Sequence, residues 1–112
     1  MEKLKQIISE KAIKERVEQI AKEISSTFEG EVPILVSVLN GSFIFASDLL
    51  RALKVDCEID FIKVSTYSGN KSKGTIDFQK DISAEISNRH VIIVEDIIDS
   101  GLTVKFIKER FI

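Results

Sequence analysis

The sequence predicts an α/β fold built on a parallel sheet, and three observations carry that prediction. Apolar stretches of strand length alternate with stretches whose apolar residues recur at helical spacing. The strand candidates are apolar without strict alternation, as expected where helices cover both faces of a sheet. The segments richest in Gly, Ser, Asn and acid each follow a strand, at the carboxyl end where open α/β sheets bind ligands.

The elements follow in order. Leu4, Ile7, Ile8, Ile13, Val17, Ile20, Ala21, Ile24 and Phe28 recur at three and four, with Lys, Glu and Arg between them, so an amphipathic helix is expected up to Gly30. Pro33 opens a strand over residues 34–39, at a position where no ladder donor is lost. Asn40-Gly41-Ser42 is a turn, and Phe43, Ile44, Ala46, Leu49, Leu50 and Leu53 space a second helix. Residues 58–67 alternate around Ile59, Phe61, Ile62 and Val64, the pattern of a strand. Residues 68–74, polar and bounded by glycines, read as a mobile loop, after which 75–78 resume strand pairing. Residues 81–89 form a polar connection, residues 90–94 a buried strand, and a third helix starts at Leu102.

Composition narrows the function classes. A chain of 112 residues is one domain's length, and 44% hydrophobic with 30% charged content is that of a folding rather than a disordered sequence. A formal net charge of −2 gives no electrostatic case for nucleic acid. The single cysteine, Cys57, allows no internal disulfide, and no apolar run approaches the ~20 residues of a membrane span. The N-terminus is charged from Glu2 onward and lacks a signal-peptide core, so a cytoplasmic protein without a membrane partner is expected.

The chemistry concentrates in one segment. Val91 to Val94 run into Glu95-Asp96, Asp99 follows after Ile97 and Ile98, and Ser100-Gly101-Leu102-Thr103 opens the last helix. Hydroxyls and backbone N–H groups at a helix start suit a phosphate, and Gly101 permits a positive φ and close approach. Three carboxylates beside an anion site would repel it unless a cation or sugar hydroxyls lay between, and Mg²⁺ shared between carboxylate and ligand oxygens resolves that conflict. A sugar phosphate combines both features. His90 has neither a Cys nor a second His to complete a metal site and is read as structural.

This segment resembles the phosphoribosyl pyrophosphate (PRPP) motif of type I phosphoribosyltransferases: apolar strand, Glu-Asp, two apolar residues, Asp, then Ser/Thr-Gly-x-Thr. Val38-Leu39-Asn40-Gly41-Ser42-Phe43, with Phe45-Ala46-Ser47-Asp48-Leu49 after it, resembles the family's pyrophosphate loop and following helix. Ser65-Thr66-Tyr67-Ser68-Gly69 resembles the start of its flexible active-site loop. Together the three segments are more similar to the hypoxanthine-guanine branch than to the adenine, orotate or uracil branches.

The resemblance implies a parallel-sheet, Rossmann-like core and a purine-salvage reaction. PRPP and hypoxanthine or guanine would give IMP or GMP and pyrophosphate, with Mg²⁺ as cofactor and a homodimer or homotetramer in relatives. It implies that Glu95 and Asp96 hold the ribose hydroxyls and the metal, and that Asp99 is the general base for the purine. Ser100, Gly101, Leu102 and Thr103 would cradle the 5′-phosphate, and Asn40 and Gly41 would contact pyrophosphate through backbone N–H groups, beside a cis peptide at Leu39-Asn40. Thr66 and Tyr67 would arrive with the flexible loop. A PRPP-binding regulatory relative without turnover is the alternative, although a sensor has no use for Asp99. Asn40 stands where many relatives carry Lys, and Ser100 where Thr is commoner. The resemblance also covers only about the N-terminal two-thirds of the family's usual length. Residues 106–112 are mid-helix in character and have no C-terminal Gly, so the sequence reads as a truncated domain, weakly active or inactive alone, without the purine-reading part.

Overall fold

The computed structural model describes residues 4–67, 75–97 and 101–111. The elements run α1 (Glu10–Thr27), β1 (Ile34–Val38), α2 (Phe43–Ala52), β2 (Glu58–Tyr67), β3 (Thr75–Lys80), β4 (Val91–Val94) and α3 (Leu102–Phe111). The sheet order is β3-β2-β1-β4. β1 pairs in parallel with β2, Ile34 facing Glu58 and Val38 facing Ile62, and in parallel with β4, Ile34 facing Val91 and Ser37 facing Val94. The predicted parallel α/β architecture is thus present, with one addition at the edge: β3 pairs with β2 antiparallel, after a register shift between Lys63 and Val64.

β1 is the axis of the fold. All five of its residues are buried, and alternate side chains serve two cores. Leu35 packs with Val17 and Ala21 of α1, Ala46 and Leu49 of α2, and Val94. Ile34, Val36 and Val38 pack on the other face with Ile62 and with Ile107 of α3. Ile82, Ala84 and Ile86 also join this second core, so the connection expected to be merely polar is in fact half a lining for the sheet. Its apolar residues recur at every second position, too few and too interrupted by Asp81, Ser83 and Glu85 to register as an element.

The first helix is shorter than its apolar spacing suggested. Ser9 is its N-cap, accepting the Ala12 N–H at 3.0 Å, with Glu10 in the first turn where the helix dipole favours acid. Leu4 and Ile7 lie before this cap and are 99% and 89% exposed, so the helical period there reflects no packed face. At the other end, α1 stops at Thr27, and Gly30 takes a positive φ of 83° in the turn toward β1 rather than capping the helix itself.

Asp60 holds the crossing between β3 and β4 against the sheet. Its buried carboxylate accepts N–H bonds from Ser83 and Ala84 at 2.7 Å each and from Phe61 at 2.8 Å, with Lys80 Nζ at 3.6 Å. Burial pushes this carboxyl up, but the N–H donors of Ala84, Phe61 and Ser83 and the Lys80 charge outweigh burial, and its pKa lies below the usual aspartate value. The opposite, amino-terminal end of the parallel strands is tied by Arg89, which donates to the Val32 carbonyl and Glu58 at 2.7 Å each, and by His90 Nε2 and Glu31 at 2.9 Å.

A depressed folded pKa stabilises the protein above the unfolded aspartate pKa, about 3.9, and that stabilisation is lost as pH falls through the folded value. Asp60→Asn keeps one acceptor oxygen where two are used, and is expected to cost roughly 2 kcal/mol at pH 7. Thermal melts of both proteins from pH 7 to pH 3 check this: the gap between them narrows below about pH 4. A constant gap over that range contradicts the charged role of Asp60.

Candidate active site

Because β1, β2 and β4 are parallel, their carboxyl ends lie on one edge of the sheet. The turn 39–42 leaves β1 there, Glu95 and Asp96 leave β4, and β2 overhangs both. Val38 faces Ile62, so residues 63–67 of β2 extend past the end of β1 by about 16 Å. Thr66 and Tyr67 sit at the tip of this overhang.

The β1 turn contains a cis peptide at Leu39-Asn40, as the family resemblance implied. The Leu39 N–H donates to the Ile62 carbonyl at 2.8 Å, so the start of the turn is fixed to β2. On the far side, the Phe43 N–H reaches the Asn40 carbonyl at 3.3 Å and the Ala46 N–H the Ser42 carbonyl at 2.8 Å, starting α2.

Gly41 and Asp96 meet across this edge. A Cβ on Gly41 would fall onto Asp96 Oδ2 and lie 2.9 Å from Asp96 Cγ. A side chain at this position would displace the Asp96 carboxylate, so the glycine serves the close approach and not a backbone angle. The contact joins two loops 55 positions apart in the numbering, which sequence spacing could not reveal.

The carboxylates are held by their own backbone. The Asp96 N–H donates to Glu95 Oε1 at 3.1 Å, and the Ile97 N–H to Asp96 Oδ1 at 2.9 Å. Glu95 is half-buried, beside an apolar cavity of about 180 Å³ lined by Phe45, Ile92, Val94 and Val104. Burial first, and the neighbouring Asp96 second, push its pKa above the usual glutamate value. A cation would offset both effects. Among the described residues no group of three His, Cys, Asp or Glu could form a metal cage. The pair Glu95–Asp96 instead fits a hard cation such as Mg²⁺, which takes one or two carboxylates and completes its shell with ligand oxygens and water.

Gly101 has φ of 82° with open space where a Cβ would be, and its carbonyl accepts the Lys105 N–H at 3.0 Å, so it opens α3. Leu102 and Thr103 form the first turn, where helix N–H groups and dipole favour an anion. Asp99 and Ser100 lie outside the described residues, as do residues 68–74 of the expected flexible loop. The described structure thus brings Asn40, Gly41, Glu95 and Asp96 to one edge, with Gly101, Leu102 and Thr103 on the segment that follows. A larger cavity, of about 410 Å³, lies away from this edge between α1 and α2, rimmed by charged residues including Glu10, Lys14 and Arg51.

Comparison with known proteins agrees with this arrangement. The phosphoribosyl transferase domain matches residues 3–111. A hypoxanthine-guanine phosphoribosyltransferase of Aquifex aeolicus is 45% identical over 109 residues, covering 96% of this chain and 61% of the relative. A hypoxanthine-guanine-xanthine phosphoribosyltransferase of Tritrichomonas foetus is 43% identical over 91 residues, covering 81% and 50%. The crystal structure of a Bacillus anthracis hypoxanthine-guanine phosphoribosyltransferase with HEPES in its active site superposes with a TM-score of 0.91 at 45% identity, over 99% of this chain and 66% of that one. A Trypanosoma cruzi hypoxanthine phosphoribosyltransferase in complex with its product IMP superposes at 0.84 with 34% identity, over 94% and 58%. The 112 residues therefore span roughly half to two-thirds of these relatives' length. With the domain matched from residue 3 to residue 111 and the parallel sheet bringing the 39–42 turn and the acidic segment to one edge, the chain belongs to the phosphoribosyltransferase domain family.

Proposed function

We propose that this chain carries the PRPP-binding part of a purine-salvage phosphoribosyltransferase that acts on hypoxanthine or guanine. The observation that carries the reading is the approach of Gly41 to Asp96, which sets a backbone loop suited to pyrophosphate against carboxylates suited to a ribose and its metal. The similarity to hypoxanthine-guanine enzymes at 43–45% identity supports the choice of base.

In this reading Glu95 and Asp96 orient the ribose through its 2′- and 3′-hydroxyls and lie where positive charge grows at the anomeric carbon. The bond from that carbon to pyrophosphate oxygen breaks with its electron pair leaving on pyrophosphate, and the purine N9 bonds in its place. The transition state is oxocarbenium-like, as in glycoside cleavage. Asn40 and Gly41 N–H groups face the departing pyrophosphate. Asp99 takes the proton that the purine loses, near N7. Ser100, Gly101, Leu102 and Thr103 anchor the 5′-phosphate at the start of α3. Thr66 and Tyr67, at the end of β2, arrive with the loop that excludes water. Mg²⁺ held by Glu95 and Asp96 would supply charge neutralisation for pyrophosphate.

In this reading residues 1–112 are the N-terminal two-thirds of the domain, with the PRPP site, in a cytoplasmic enzyme that is a dimer or tetramer in full-length form. Purine reading belongs to sequence that the longer relatives have beyond the matched part.

Calorimetric titration with PRPP tests the reading. Binding is expected only with Mg²⁺ present, and Glu95→Ala/Asp96→Ala is expected to weaken it by at least tenfold, about 1.4 kcal/mol. Hypoxanthine turnover by the 112 residues alone is expected well below the ~10 s⁻¹ of a median enzyme. PRPP binding that is absent, or indifferent to Mg²⁺ and to both carboxylates, rules the reading out. A second variant isolates the loop contact. Gly41→Ala displaces only the far end of an exposed Asp96 side chain, so its melting temperature should stay within about 3 °C of wild type. Its PRPP affinity should nevertheless fall by about tenfold, because Asp96 is moved; unchanged affinity would show that the approach has no role in binding.

A further inference from the structure

Two buried hydroxyls lie beneath the turn that joins β1 to α2. Ser37 is the only polar residue of β1, and it and Ser42 are both 0% exposed. Ser42 Oγ donates to the Val38 carbonyl at 2.5 Å, and Ser37 Oγ lies 2.7 Å from Ser42 Oγ. Because the one proton of Ser42 is committed to the carbonyl, Ser37 is the donor in the second bond. The relay runs from Ser37 to Ser42 to the Val38 carbonyl, and no described buried side-chain polar atom is left unpaired.

Ser42 occupies the N-cap position of α2 but makes no side-chain hydrogen bond to its helix. Serine at an N-cap ordinarily gives its oxygen to an N–H of the first turn, a bond worth about 1 kcal/mol. Here the hydroxyl turns inward and joins the residue after the turn to the last residue of the strand before it. The three residues between, Leu39, Asn40 and Gly41, are held by this bond across their base and by the Leu39 N–H bond to Ile62 on one side. Ser37 lies on the same strand face as Leu35, toward α2, and pairs in register with Val94, the residue before Glu95.

We propose that Ser37 and Ser42 are positioning residues for anion binding: their hydroxyl relay clamps the base of the 39–41 turn and fixes the direction of the Asn40 and Gly41 N–H groups. The proposal rests on the reading of that turn as the pyrophosphate contact. A stability role alone would not need this arrangement. The Ser37–Ser42 bond taken by itself could be exchanged for apolar groups at little cost, since replacing both members of a buried hydrogen-bonded pair is often nearly neutral, which leaves the Ser42 bond to the Val38 carbonyl as the contact that spans the turn.

That asymmetry separates the two roles experimentally. Ser42→Ala leaves the Ser37 hydroxyl without its acceptor and should lower stability as well as binding. Ser37→Ala/Ser42→Ala removes both hydroxyls and leaves the Val38 carbonyl as the one group that loses its partner, so it is expected to melt below wild type but no lower than Ser42→Ala. The probes are pyrophosphate with MgCl₂, which reads the turn, and ribose 5-phosphate, which reads the start of α3. Both variants are expected to lose about tenfold in pyrophosphate affinity and to keep ribose 5-phosphate affinity. Ser37→Ala alone, with the Ser42 bond to Val38 intact, should lose less. Ser42→Cys keeps a weak donor of similar shape and should fall between Ser42→Ala and wild type. Pyrophosphate affinity at the wild-type level in the double variant, or equal loss of both ligands, overturns the proposal. A wild-type chain that binds ribose 5-phosphate but no pyrophosphate overturns the reading of the turn itself, a failure visible before any variant is compared.

Discussion

The parallel register of β1 with both of its neighbours is the constraint on which the rest of this structure depends. With Val38 opposite Ile62 and Ser37 opposite Val94, the carboxyl ends of three strands come to one edge. A slip of one residue would turn every side chain of β1 to the other face and exchange the two cores. It would set Leu35 against α3 and Val36 against α1 and α2. The full burial of β1 makes that slip costly, since large apolar side chains on both faces are worth roughly 1.5–3 kcal/mol each. Site geometry is thus held by apolar packing beneath it, and the polar residues at the edge need not specify the fold.

Those polar residues are free to be unfavourable neighbours. Glu95 and Asp96 are adjacent like charges, one of them half-buried beside an apolar cavity, and each accepts a hydrogen bond from the backbone N–H of the next residue, with no cationic side chain paired to either among the described residues. In a site meant only for stability such a pair would be replaced. Its place at a strand end, against a glycine on the neighbouring loop, suits the ligand and cation of the proposed function. Surface ion pairs elsewhere, such as Lys11–Glu15 and Arg51–Asp48, are exposed and contribute little by comparison.

Much of this was legible in the residues. Alternation alone gives β2 its bounds, and Pro33 and the Asn40-Gly41 turn give those of β1 to within one residue, Leu39 falling in the turn. The acidic strand end and glycine-opened helix pointed to a phosphate sugar because those groups have few other uses side by side. What stayed hidden had physical reasons. The spacing of Leu4, Ile7 and Ile8 mimics a helix face, but Ser9 captures the Ala12 N–H and starts the helix later, so a local hydrogen bond overrode periodicity. Ile82, Ala84 and Ile86 pack through long-range tethering by Asp60 rather than through any local pattern. The Ser37–Ser42 relay leaves one trace in the sequence, a lone hydroxyl in an otherwise apolar strand, which becomes meaningful only once its partner is seen. The antiparallel pairing of β3 was similarly open, since a short apolar run fits either direction.

The register shift between Lys63 and Val64 falls where β2 leaves the shelter of β1, one residue after the last parallel pair at Ile62. Bulges of this kind bend a strand and add twist locally. The sheet is therefore divided mechanically at that point: a parallel block sandwiched between helices on one side, a two-stranded ribbon on the other. Lys80 rivets the junction, donating to the carbonyls of Phe61 and Asp81 at 3.1 and 3.0 Å. A displacement of the ribbon therefore ends at this rivet, while the block that carries the acids and the 39–42 turn keeps the alignment set by its parallel register.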